Sequence, residues 1–169
     1  MKPELQQGAY MFLRALSAFL VLPCMVGGVF PALIFAFDPW RRGGFLSGYL
    51  VIGLGLFLLL WCVRDFYISG KGTLAPWNPP RKLVIVGLYQ FHRNPMYIGV
   101  LLILTGWCMA SGSIIMIVYT VCIATLFHLR VIRNEEPWLE EEFGEDWLAY
   151  SEAVNRWVPR LTPWYPQQK

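Results

Sequence analysis

The chain has 169 residues, of which 56% are hydrophobic, 16% aromatic and only 15% charged, against about 25% charged in soluble domains. Its mean hydropathy of +0.46 excludes a disordered chain and makes lipid rather than water the expected solvent, and the length leaves room for one compact unit. A net charge of +3, thinly spread, leaves no nucleic-acid footprint; Cys24, Cys62, Cys108 and Cys122 lie singly in apolar runs, so they read as small buried hydrophobes and no metal is expected.

In chain order, the first candidate span is Ala15 to Phe37, 23 uncharged residues, where about 20 helical residues suffice to cross a bilayer. Pro23 and Pro31 predict a kink or an early exit. A cleavable signal peptide is disfavoured by the length of the run, by Glu4 ahead of it and by the lack of a small-x-small site. The second span is Gly43 to Val63, with 21 uncharged residues and a GlyLeuGlyLeu stretch suited to close helix packing. Pro95 to Leu129 then gives 35 residues with no charge beyond a protonatable His128. Ser111, Gly112 and Ser113 divide it into a helical hairpin. The fold class is therefore all-α, an integral-membrane bundle of about four transmembrane helices, the third and fourth forming the hairpin.

Four crossings put Lys2, Arg14, Arg64, Lys71, Arg81, Lys82, Arg93, Arg130, Arg133, Arg156, Arg160 and Lys169 on one side and only Arg41 and Arg42 on the other. By the positive-inside rule, both termini and the loop from Arg64 to Arg93 are expected in the cytosol. After Arg133 the chain turns acidic. Leu139, Phe143, Trp147, Tyr150, Val154 and Trp157 recur at helical spacing, which predicts a C-terminal amphipathic cytosolic helix, interrupted near Gly144. Its seven acids disfavour an anionic lipid surface, so it is expected to pack over the protein's own loop.

Two stretches gather groups that chemistry can use. In GlyLeuTyrGlnPheHisArgAsnProMetTyrIleGly, residues 87–99, Asn94 is a good N-cap and Pro95 a good first helical residue. Capping does not explain why Tyr89, Arg93, Tyr97 and Gly99 gather at the same helix start. In ArgValIleArgAsnGluGluProTrpLeu, residues 130–139, Pro137 predicts that the last span ends near Asn134 and that a new helix begins near Pro137. Glu135 and Glu136 then sit at a junction level with the membrane surface. Acids beside lipid are costly unless they face a cavity or a partner. His92 reads as an interfacial loop residue, and His128 as a satisfied histidine at the end of span four.

The first stretch resembles the G-x-Y-x-x-x-R-[HN]-P-x-Y-x-G signature of the integral-membrane methyltransferases that include isoprenylcysteine carboxyl methyltransferase and the phospholipid N-methyltransferases. GluGluProTrpLeuGluGluGluPheGly, with Tyr150 and Val154 beyond it, resembles their E-E-x-x-L-x-x-x-F-G. The resemblance covers Arg81 to Pro159, and the first two spans match only as generic membrane helices. It implies one membrane-embedded methyltransferase domain over residues 1–169, with the two N-terminal spans in 10–64 and the cofactor-binding catalytic half in 70–159. It further implies S-adenosylmethionine in a cytosolic pocket and a membrane lipid or prenylated acceptor entering from the bilayer.

By position, Arg81, Lys82, Leu83 and Val84 would supply backbone contacts to the cofactor. Tyr89 and Asn94 would line the pocket, Pro95 and Tyr97 would frame the same site, and Glu135 would receive the cofactor's amino group. Tyr89 or Tyr97 could also face the sulfonium, a contact worth roughly 0.5 to 2 kcal/mol. The expected catalytic set is Arg93, Glu136, Arg130 and Arg133. In the isoprenylcysteine branch the position of Asn94 is usually His, and an Arg that meets the substrate carboxylate stands at the position of Val131; Arg130 or Arg133 would replace it. A carboxylate acceptor wants such a cation, whereas an amine acceptor wants a base such as Glu136 or His92. The expected function is carboxyl O-methylation of an isoprenylcysteine-like acceptor, with phospholipid N-methylation as the alternative. Less favoured readings are a sterol-reductase-like enzyme and a non-catalytic lipid-binding membrane subunit.

Overall fold

The structure is a computed structural model and describes residues 23–69 and 83–166, with the side chains of 66–69 left aside. Every regular element among the described residues is helical. Helix α1 is Met25–Phe37, α2 Ser47–Ser69, α3 Pro95–Ser111, α4 Ile114–Phe143 and α5 Glu145–Ala153. Ser47–Asp65 and Ile114–Phe143 are each long and apolar enough to cross a membrane, while α1 and α3 are shorter apolar helices. Leu50, Leu54, Phe57, Ile117, Val118 and Val121 are exposed, an outward apolar surface of the kind that contacts lipid.

The part of the first expected span before residue 23 lies outside the described residues. Its remainder begins with a wide π turn, Met25–Val29, and the cause is Pro31. A proline cannot donate to the carbonyl one turn back, and its ring crowds that carbonyl, so the turn before it opens. Two carbonyls are left over, and other helices satisfy both. Trp107 Nε1 donates to Gly27 O at 3.0 Å and the Tyr119 hydroxyl to Val26 O at 2.9 Å. Pro31 therefore serves as a docking point for α3 and α4 as well as a kink.

The second span starts at Ser47 rather than at Gly43. Residues 41–45 form an irregular segment, with Gly43 at φ +76°, and Phe45 N donates to Met109 O at 2.8 Å, binding it to the end of α3. From there α2 packs antiparallel on α3 through paired glycines. A Cβ on Gly48 would meet Gly106 O at 2.6 Å, and one on Gly55 would meet Gly99 O at 2.6 Å. Each pair member is seven residues from the next on its own helix, so one face of each helix brings backbone against backbone. Gly53, the other glycine of the GlyLeuGlyLeu stretch, faces open space. Leu59, Val100, Ile103 and Leu104 form the core beside this contact.

The hairpin turn lies at Ser111, Gly112 and Ser113 as the sequence predicts. Gly112 takes the left-handed conformation at φ +59° and caps α3. Ser113 caps α4 by accepting from Met116 N at 3.1 Å, and its hydroxyl donates to the buried Asp38. Cysteine burial is corrected by the structure: Cys62 is buried, Cys108 is half-buried, and Cys24 and Cys122 are exposed.

Near Asn134, where the last span is expected to end, helix α4 widens rather than stops. It passes through a second π turn, Val131–Glu135, directly before Pro137, and continues to Phe143. The physics is that of Pro31, since the wider turn relieves the clash that a proline would impose on an α-helix. At 30 residues α4 is about 45 Å long, more than a hydrocarbon core of about 30 Å can hold. Gly144 at φ +50° breaks the chain there as expected, and α5 folds back over the segment 83–90. Ile85, Trp147, Tyr150 and Val154 form the second core, joined by Leu83, Leu139, Phe143 and Trp164.

Candidate functional site

The π turn and the fold-back of α5 together enclose a pocket. It holds about 530 Å³ of empty space, part of it open to solvent, and one wall consists of Leu83, Val84, Tyr89, Arg93 and Asn94. The opposite wall consists of Val131, Glu135, Glu136 and Leu139 from α4, with Phe143, Trp147 and Tyr150 closing the top. The two motifs noted in the sequence thus face each other across one cavity.

Local sequence explains how each wall is held. A short 3-10 turn, Gly87–Gln90, carries Tyr89. It begins at Gly87 with φ +55°, where any Cβ would run into the Asp65 carboxylate of α2. The Tyr150 hydroxyl donates to Tyr89 O at 2.7 Å. Burial pushes the hydroxyl pKa values of both Tyr89 and Tyr150 up, so both stay protonated. Asn94 stands at the N-cap of α3 but caps nothing with its side chain. Its amide Nδ2 instead donates to Arg156 O at 3.2 Å. Arg93 N donates to Asn155 O at 3.0 Å, Arg160 N to Phe91 O at 2.9 Å and Trp164 N to Gln90 O at 3.0 Å. The segment after α5 is therefore strapped along residues 90–93.

Glu135 and Glu136 are adjacent in sequence, yet the structure gives them separate partners. Glu135 Oε1 accepts from the Tyr97 hydroxyl and from Arg130 Nε at 2.8 Å. Glu136 accepts from Arg156 with both oxygens, at 2.6 Å from Nε and 2.5 Å from Nη2, and lies 3.3 Å from Arg93 Nη1. Its side chain is 16% exposed and that of Glu135 32%. The hydrogen bond to Glu136 raises the Arg156 pKa, while burial outweighs Glu136 and lowers that of Arg93.

The expected residues fall into five groups. Leu83, Val84, Tyr89, Arg93, Asn94, Glu135 and Glu136 line the pocket, whereas Arg81 and Lys82 lie outside the described residues. Tyr97 and Arg130 bind Glu135 without lining the pocket, and Tyr97 packs tilted against Phe127 and edge-on to Trp157. Pro95 is buried at the first position of α3, and Arg133 is exposed and away from the pocket lining. His92 lies in the loop before α3, as expected. It is buried, among the described residues its Nδ1 has no partner, and burial lowers its pKa. His128 accepts from Trp157 Nε1 at 3.2 Å and is satisfied as expected. Arg156 was not singled out in the sequence; its one signal there is a lone base in the ValAsnArgTrpValPro segment following the acidic stretch.

A family model described as phospholipid methyltransferase matches residues 44–146. The chain is 29% identical over 161 residues to the cobalt-zinc-cadmium resistance protein CzcN of Cupriavidus metallidurans, covering 88% of this chain and 69% of that protein. It is 26% identical over 118 residues to a steroid 5-alpha-reductase of Solanum lycopersicum, covering 69% of this chain and 43% of the reductase. An uncharacterized protein of Haemophilus influenzae is 30% identical over 63 residues, which is 37% of this chain and all of that protein. No solved structure shows a significant match.

Proposed function

Because the chain belongs to the phospholipid methyltransferase family, we propose that it is a membrane-embedded methyltransferase that takes S-adenosylmethionine in the pocket between residues 83–94 and α4. The observation that carries this reading is the division of labour between the two acids. Among the described residues both hydrogen bonds of Glu135 fall on Oε1, which leaves Oε2 of a pocket-lining carboxylate for the cofactor's ammonium. Glu136 has no such vacancy. When bound, the cofactor supplies a methyl group on a sulfonium; the protein orients it against the acceptor and keeps water out. Tyr89, Trp147 and Tyr150 supply the electron-rich walls that suit a cation.

Carboxyl O-methylation of an isoprenylcysteine-like acceptor is the favoured reaction. Three guanidinium groups, Arg93, Arg130 and Arg156, stand against two carboxylates, Glu135 and Glu136, so the site has a positive charge to spare for an anionic acceptor. Arg130, its side chain 50% exposed, is the group to meet that anion at the rim. An amine acceptor would need a free base, and both oxygens of Glu136 are taken by Arg156. The apolar outer faces of the helices admit a lipid-like tail from the side, and the distribution of Lys and Arg puts the pocket and both termini in the cytosol.

Incubating membranes that contain the protein with methyl-labelled cofactor tests the reading. Label is expected in the lipid extract and is expected to leave as methanol in alkali. Alkali-stable label would instead identify N-methylation. Glu135→Gln is expected to weaken cofactor binding roughly tenfold or more, the scale of a lost charge-assisted contact. No binding and no transfer by the native protein would overturn the proposal. A second reading, reduction with a nicotinamide cofactor, is favoured only by similarity to the steroid 5-alpha-reductase; it predicts oxidation of the reduced nicotinamide in the presence of a sterol.

A further inference from the structure

Arg93 lines the pocket with its side chain 11% exposed, yet among the described residues its guanidinium makes no hydrogen bond. Nη1 stands 3.3 Å from Glu136 Oε1, Nε is buried without a partner, and the group lies 5.4 Å from the Trp147 ring centre. A guanidinium offers five N–H donors, and leaving them unfilled away from water is costly. Glu136 would fill them, but Arg156 holds that carboxylate in the two-pronged geometry that favours arginine over any single contact. Two arginines therefore share one acid: the one from the C-terminal strap takes the two-pronged hydrogen bonds, and Arg93 is left with the 3.3 Å ion pair alone. The same strap residue fixes the start of α3, because its carbonyl accepts from Asn94.

We propose that Arg156 is a positioning residue: by occupying Glu136 it leaves Arg93 with charge and donors to spare, and Arg93 receives the carboxylate of a bound amino-acid-bearing ligand whose ammonium meets Glu135. The inference rests on the reading of this pocket as the cofactor site. An open acid and an open arginine on the walls of one pocket are what a zwitterionic α-amino-acid end requires. Arg156 itself does not touch the ligand; it acts through Glu136.

Calorimetry on the full chain in detergent, comparing S-adenosylmethionine with its decarboxylated analogue, tests this. The native protein is expected to prefer the carboxylate-bearing ligand by roughly tenfold or more. In Arg156→Met, Glu136 is released to hydrogen-bond Arg93, and the preference is expected to fall towards one while the analogue still binds. Adding Glu136→Gln to that variant removes the competing acid and is expected to restore the preference, which a merely structural role of Arg156 would not do. Arg156→Lys keeps the cation without the two-pronged grip and is expected to fall between, so it serves where the Met variant does not fold. Equal weakening of both ligands in Arg156→Met, with no recovery in the double variant, would overturn the proposal. So would a native protein that binds both ligands equally well. Failure of the native protein to bind either ligand would instead remove the cofactor reading beneath it.

Discussion

Two groups on the 83–94 segment, buried His92 and largely covered Arg93, show how burial changes what a residue can do. The Arg93 guanidinium keeps its charge and its ion pair to Glu136 but, among the described residues, makes no hydrogen bond, and His92 keeps its ring but loses its ready protonation. His92 has a pKa below its ordinary 6.5 because burial disfavours the charged imidazolium. In the unfolded chain the ring takes up a proton as pH falls through 6.5, while in the folded chain it resists until lower pH. Stability is therefore full above about 6.5 and declines as pH falls from there through the folded value. Thermal melts in detergent between pH 7.5 and 5 are expected to show this decline. The slope is expected to flatten in His92→Gln, and an unchanged slope would show that His92 is not its source.

Both π turns precede a proline by the same interval, Met25–Val29 before Pro31 and Val131–Glu135 before Pro137. A proline inside a helix widens the turn before it and leaves carbonyls to be satisfied elsewhere. At Pro31 the tertiary contacts do so through Trp107 and Tyr119. At Pro137 the wide turn lets α4 run on past the proline unbroken, with Glu135 and Glu136 just before it, each bound to different partners. Trp107→Phe is expected to destabilise the protein by roughly 1 kcal/mol, the scale of an interhelical hydrogen bond in a membrane protein. In a Pro31→Ala background residue 31 supplies its own N–H to Gly27 O, and the cost of Trp107→Phe is expected to shrink by half or more. Unfolding in mixed-detergent titrations measures both values, and equal costs in the two backgrounds would refute the link.

For the whole molecule, two ends are distinguished. Asp38, Ser111 and Ser113 form a small buried polar lock at the hairpin turn, while the pocket occupies the other end of α3 and α4. With both helices in a bilayer, the two ends lie on opposite faces. In a cysteine-free background, a thiol at Glu141→Cys is expected to react with an impermeant maleimide only from the cytosolic face. One at Arg41→Cys is expected to react only from the outer face. Labelling of both from the same side would rule out the four-span topology.

Much of this was legible in the sequence because it depends on local chemistry. The apolar runs, the Ser111 to Ser113 turn, the break at Gly144 and the face Leu139, Phe143, Trp147, Tyr150 and Val154 follow from periodicity and turn preference. Those signals act over a few residues and hold in any context. The same local rules did not show that the helix runs on through Pro137, because a proline's cost depends on whether its turn can widen. They could not separate Glu135 from Glu136 either, since neighbours in sequence are assigned different partners only when Tyr97, Arg130 and Arg156 arrive from other elements. Nor could they show that Gly48 meets Gly106 and Gly55 meets Gly99, which requires α2 and α3 to be set in register. Sequence alone thus determined which segments are helical and which motifs carry charge; tertiary structure decided which carboxylate is occupied and which arginine is left with donors to spare, because pairing depends on distances that only the packed chain defines.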